Sequence, residues 1–167
     1  LIRLEGAGAI GDLGAYTLVL SGTTGSGLSP FHVAVEEAGL SGDEALPNAT
    51  PFDDGVENLL KFAFNMNLAG SHAETMAPGG TSGLPSVTLQ ESDGEKFLRV
   101  EYVRRTDGSL VYSPEESTTL QEDDFVPMTG TPTIEGIDAD WERVIIHASF
   151  DPKVDPRGFV RVAVRFP

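Results

Sequence analysis

Asp53, Asp54, Glu57 and Asn58 crowd into one short run, DDGVEN. High surface acidity of this kind mainly gives solubility, with divalent-cation binding secondary. Other chemistry-bearing residues are scattered. His32, His72 and His147 are the only histidines, and none stands in an H-E-x-x-H context that would hold a catalytic zinc. Cysteine is absent, which removes disulfides, thiolate metal sites and cysteine nucleophiles. Ser21, Ser26 and Ser82 adjoin glycine without forming the G-x-S-x-G turn that exposes a nucleophile. Gly6, Gly8 and Gly11 spell G-x-G-x-x-G, but Gly14 and Tyr16 follow where a dinucleotide-binding helix would run. Glu115/Glu116 and Asp123/Asp124 are carboxylate pairs of the kind glycosidases use, yet pairs arise by composition alone in so acidic a chain. Trp141, the only tryptophan, lies between Asp140 and Glu142; its ring suits either the edge of a core or stacking on a sugar. The residue types therefore point to no catalytic site and no cofactor, with Trp141 the one candidate ligand contact.

Composition narrows the partners. The formal charge is −15 over 167 residues, with 11 basic and 26 acidic side chains. Such a chain lacks the basic footprint that supplies most nucleic-acid affinity, and anionic membrane surfaces would repel it. Residues 1–95 carry 2 basic and 13 acidic residues, against 9 and 13 in residues 96–167, so the N-terminal part is the more acidic. A hydrophobic content of 40% allows a packed core. No run has the length of a membrane-spanning helix, and none reads as a signal peptide. The opening at Leu1, inside a strand-like run, is read as the start of a fragment or a processed piece.

The elements that must position these residues follow from periodicity. Val56, Leu59, Leu60, Ala63 and Phe64 form the apolar stripe of a helix across residues 53–67. Asp54 and Glu57 have capping-box spacing, and Asn65 and Asn67 favour a stop. Ser29-Pro30 starts an earlier helix with Phe31, Ala34, Val35 and Ala38 inward, closed by Gly39 and Leu40. Residues 1–22 read as two terminal strands of a preceding β domain, with Tyr16, Leu18 and Leu20 alternating with Thr17 and Val19. Residues 23–67 are a linker and two-helix segment, and residues 68–85 a long mobile loop. From 86 to 167 strands are marked by Val87/Leu89, Leu98/Val100/Tyr102, Leu110/Tyr112, Val144/Ile146/Ala148 and Val160/Val162/Val164/Phe166. Phe125 marks an extra edge strand, and Asp107-Gly108 reads as a hairpin turn. Arg99, Arg161 and Arg165 take the outward faces.

Residues 30–67, followed by GLPSVTL, FLRVEYVRR, SLVYSPEEST and FVRVAVRF, resemble the C-terminal modules of large secreted proteins from environmental bacteria. In those modules a short helix ending in Gly-Leu leads to a D-x-D-x-D-G-x-x-N-L-L-E-Y-A segment and a small β-sandwich. The opening GDLGAYTLVLSG is similar to the last strand of the sandwich that follows some secreted metallopeptidase domains. The resemblance implies a calcium loop, but Thr50, Phe52 and Asp54 stand at its three acidic positions and Lys61 where Glu is usual. Only Asp54 and Asn58 remain in register, so the loop is degenerate and calcium is not expected.

The expectation is a mainly β protein, an antiparallel immunoglobulin- or fibronectin-like sandwich carrying two short N-terminal helices. Its expected role is that of a non-catalytic accessory or structural C-terminal module of a secreted or cell-surface multidomain bacterial protein. Its partners would be other domains of the parent protein or cell-envelope and extracellular components, with no nucleic acid and no membrane insertion. The alternatives are the C-terminal remainder of a secreted hydrolase, with a metallopeptidase foremost, and a carbohydrate-binding module.

Overall fold

The computed structural model describes residues 29–92, 95–119, 121–149 and 158–167. The strand readings for residues 1–22 lie outside these. Helix α1 spans Pro30–Glu37 and α2 spans Asn58–Ala63, with a 3-10 turn at Gly42–Ala45 between them. The strands are β1 (Ser86–Ser92), β2 (Glu95–Arg105), β3 (Val111–Ser117), β4 (Val126–Pro127), β5 (Thr133–Gly136), β6 (Trp141–His147) and β7 (Phe159–Arg165). A second 3-10 turn, Glu122–Asp124, precedes β4.

The ends of α1 follow from local chemistry. Ser29 accepts the His32 N–H, and Pro30 fills the first position, where a missing N–H costs nothing. Gly39 takes φ +78°, letting the Gly39 and Leu40 N–H groups return to Glu36 and Val35. Phe31 and Val35 face the core as the spacing requires. Helix α2 is shorter than its stripe implies. Glu57 is its N-cap residue and gives no side-chain cap, so the Asp54/Glu57 capping box does not form. Its far end behaves as read: Asn65 is left-handed at φ +55°, and the Met66 N–H bonds back to Lys61. Leu59 and Leu60 are only half-buried, while Phe62, Ala63 and Phe64 are inside.

The strands form two antiparallel sheets, of order β1-β2-β6-β5 and β4-β3-β7. Tyr102 of β2 stacks on Tyr112 of β3, ring centroids 6.1 Å apart, which brings the sheets together in a sandwich-like arrangement. Val100, Tyr102, Val144 and Ile146 fill the space between. The Tyr112 hydroxyl donates to the Ala63 carbonyl at 2.8 Å and accepts the Arg105 N–H, tying α2, β2 and β3 at one point. Burial pushes the Tyr112 hydroxyl up to about 12.

Three expectations change here. Asp107-Gly108 is not a hairpin: β2 pairs with β1 and β6, β3 with β4 and β7, and this turn carries the chain from one sheet to the other. Asp107 holds the turn by accepting from Ser109 and Arg105. Residues 68–85 form a loop, as read, and it lies as a cover on the outer face of β2. Met76 is buried, Thr75 bridges Leu84, and the Gly83 N–H reaches the Phe64 carbonyl. Gly83 fits because a Cβ there would lie 2.7 Å from the Met76 nitrogen, at φ +119°. Finally, Val87 and Leu89 of β1 are exposed, although alternation marked them as core. Arg99 is largely covered as well, paired with the buried Glu101. Among the described residues no helix is long and apolar enough to cross a membrane.

Candidate functional site

The run that could gather a cation folds around one of its own. Asp53 at φ +51° and Gly55 at φ +74° curl the chain so that the Asp54 carboxylate turns inward. One oxygen accepts the Val56 N–H at 3.1 Å; the other accepts the His72 N–H at 2.8 Å. That second oxygen lies 2.6 Å from Lys61 Nζ, with both side chains almost fully enclosed. The ammonium also donates to the Gly70 carbonyl at 2.9 Å and sits 4.8 Å from the centre of the Phe52 ring. The hydrogen bond from Lys61 outweighs burial and, helped by the two N–H donors, holds the Asp54 carboxyl down at about 2.

The other candidates do not join it. Asp53 and Glu57 point to solvent. Asn58 is fully buried, but its amide donates to the Glu44 and Leu46 carbonyls, locking the 3-10 turn onto α2. Among the described residues, no three histidine or carboxylate side chains gather as a metal would require. A calcium ion does not fit this donor set, because Lys61 places a positive charge against the only inward carboxylate.

Trp141 opens β6, half-buried, directly across from Arg105 of β2. The Arg105 guanidinium lies 4.3 Å from the centre of the Phe62 ring and 5.1 Å from that of Trp141, so a cation stacks with two aromatic faces. Partial burial alone would raise the Asp107 carboxyl, but its bonds to Arg105 and Ser109 hold it at about 2. A hollow of about 330 Å³ bordered by Arg104, Arg105, Thr106, Tyr112 and Glu142 lies near Arg105, and Trp141 does not line it.

The carboxylate pairs split across β3. Glu115 meets Arg161, whereas Glu116 is buried on the Ser149 N–H and hydroxyl. Asp124 takes the Thr119 hydroxyl, and Asp123 is exposed. The histidines stand apart: His32 on Ser29, His72 between the Asn67 N–H and Glu74, and His147 against Phe97.

Sequence reasoning missed the most deeply set charges. Glu101 is 1% exposed, accepts the Gly79 N–H at 2.7 Å, and is flanked by Arg99 and Arg143. Arg143 reaches on to the Gly79 and Gly80 carbonyls and to Glu135, clamping the 68–85 cover to the sheet. The available signal was a charge set directly between apolar neighbours: Glu101 between Val100 and Tyr102, and Lys61 in LLKFAF. No family model, curated protein or solved structure gives a significant match to this chain.

Proposed function

We propose that this chain is a non-catalytic accessory or structural module of a secreted or cell-surface multidomain bacterial protein, built as an immunoglobulin-like sandwich. The observation that carries this reading is the strand order. In a constant-type immunoglobulin domain, strands A, B, E and D share one sheet and C, F and G the other. Taking β1 as A, β2 as B, β3 as C, β4 as an added strand beside C, β5 as D, β6 as E and β7 as F reproduces each pairing described above. The enclosed charges fit a structural role as well. Asp54 with Lys61, Glu101 with Arg99 and Arg143, and Glu116 with Ser149 satisfy one another within the fold. Its partners are then other domains of the parent protein or extracellular components, and no metal or cofactor is required.

Turnover of casein and of a polysaccharide panel by the purified chain, against a heat-inactivated control, tests the reading. No turnover is expected. Activity that follows the protein through purification and is lost on Glu115→Gln/Glu116→Gln substitution overturns it, in favour of a hydrolase. Carbohydrate binding at Trp141 is a second reading, resting on a half-buried indole that stacks with Arg105 and keeps part of its ring open. Depletion of the chain by insoluble polysaccharide, abolished by Trp141→Ala, would establish it.

A further inference from the structure

After α2 the chain makes a tight loop, residues 67–72, that closes over the buried Lys61–Asp54 pair. Two of its groups serve the pair directly. The Gly70 carbonyl accepts from Lys61 Nζ at 2.9 Å, and the His72 N–H donates to Asp54 at 2.8 Å. The loop is held by its own side chains. Asn67 Oδ1 accepts the Ala69 N–H at 3.0 Å, and His72 Nδ1 accepts the Asn67 N–H at 3.0 Å. A backbone N–H can only donate, so Nδ1 must be bare and the ring proton must sit on Nε2, 3.1 Å from Glu74. These contacts fix one tautomer of the neutral ring.

We propose that His72 is a proton-operated latch: the neutral imidazole holds residues 67–72 closed over the ion pair, and the imidazolium releases them. Three charged groups of the described residues stand around it. Glu74, 83% exposed, accepts from Nε2 in either charge state, so a second proton has only Nδ1 to occupy. Asp54 and Lys61 lie behind the His72 main chain, already paired with each other. A proton on Nδ1 would face the Asn67 N–H donor to donor, and that bond cannot persist. The ring is 21% exposed, so a proton reaches it without unfolding. His32 lacks this property, because its Nδ1 meets the Ser29 hydroxyl, which can turn to donate or accept. His147 rests on the Phe97 ring instead. With Asn67 freed, Gly70 and His72 lose the closure that presents them to Lys61 and Asp54. The loosening stays local, since the rest of the cover is anchored elsewhere, by Arg143 on the Gly79 and Gly80 carbonyls and by the Gly83 N–H on Phe64.

NMR of the isotope-labelled full chain from about pH 7.5 to about pH 5, the range in which an ordinary imidazole takes up its proton, tests the latch. At the upper end the His72 ring should show a bare Nδ1 and a protonated Nε2. As the ring is protonated, the Asn67 amide signal should move with the same midpoint. Its protection from hydrogen exchange, corrected for the intrinsic pH dependence, should fall about tenfold, while Gly79 and Gly83 keep theirs. His72→Asn sets a neutral amide oxygen near the place of Nδ1, and in that variant Asn67 protection should not depend on pH. A ring proton on Nδ1 at the upper end, a ring that stays neutral throughout, or a titration that leaves Asn67 unchanged each overturns the proposal. So does a loss spread equally over Gly79 and Gly83, or the same loss in His72→Asn. If His72→Asn does not fold, the wild-type spectra decide alone, because the Asn67 response must share the midpoint of the His72 ring.

Discussion

Replacing Lys61 by methionine removes a charge while keeping much of the side chain's bulk. In the native chain its ammonium is fully enclosed, 2.6 Å from an Asp54 carboxylate that is itself about 3% exposed. Breaking such a buried pair from one side costs about 3–5 kcal/mol, because the remaining charge stays in a poorly solvating site. Asp54 keeps two backbone N–H donors, which favours the low end, whereas the Gly70 carbonyl loses its partner, worth about 1 kcal/mol. The expected loss at neutral pH is therefore about 3–4 kcal/mol. The pH dependence makes the test specific. In the native protein the Asp54 carboxyl is held at about 2 against an ordinary value near 3.8. A depressed carboxyl stabilises the fold above its unfolded value, and that contribution fades as pH falls from about 4 to about 2. Without the ammonium, burial opposes the two remaining N–H donors, so the variant's carboxyl rises from about 2 towards its ordinary value and its stability changes less over that range. The gap between wild type and Lys61→Met should thus be widest near neutrality and shrink towards pH 3. Urea unfolding followed by circular dichroism, repeated down the pH range, measures it, and a Lys61→Met/Asp54→Asn double variant should regain part of the loss. A gap under about 1 kcal/mol at neutral pH, or one that does not change with pH, would refute this account of the pair.

Calcium titration by calorimetry, after chelator treatment, should reveal no tight site in residues 50–61, since Lys61 occupies the inward carboxylate. Phe64→Ala should cost about 3–5 kcal/mol, and Leu60→Ala about 1–2 kcal/mol, because the first side chain is enclosed and the second half-exposed; equal losses in urea unfolding would contradict the packing of α2. Arg143→Ala should raise hydrogen exchange at Gly79 through removal of the clamp on Glu101 and the Gly79–Gly80 carbonyls, while the β3 amides change little. The Tyr102 and Tyr112 hydroxyls are raised by burial to about 12, so the unfolded chain releases those protons first, near pH 10. Stability present below about pH 10 should decline as pH rises towards 12, and unfolding midpoints across that range would show it.

Local signals were legible in the sequence because their partners lie within a few residues. Ser29-Pro30 and Gly39-Leu40 bound α1 from both ends through backbone bonds that any chain with those residues can make. Asn65 stops α2 by the same logic, and alternation located Val100, Tyr102, Val144 and Ile146 in the core. What alternation cannot say is which strand lies alongside. Asp107-Gly108 has the residues of a hairpin, yet its flanking strands belong to different sheets, because pairing is decided by contacts tens of residues away. The same limit applies to Asp54. Its spacing to Glu57 favours a cap, but Lys61, enclosed by the return of the chain at Gly70 and His72, offers an opposite charge in a site that water does not reach. Val87 and Leu89 carry the pattern of inward residues and are left exposed, since burial needs an opposing surface and, among the described residues, β7 ends the second sheet short of them. Composition and periodicity thus determined most of the elements, though not β5, and much of the core. Only the tertiary structure decided their neighbours, because the energy of burying a charge or an edge depends on what the distant chain brings against it.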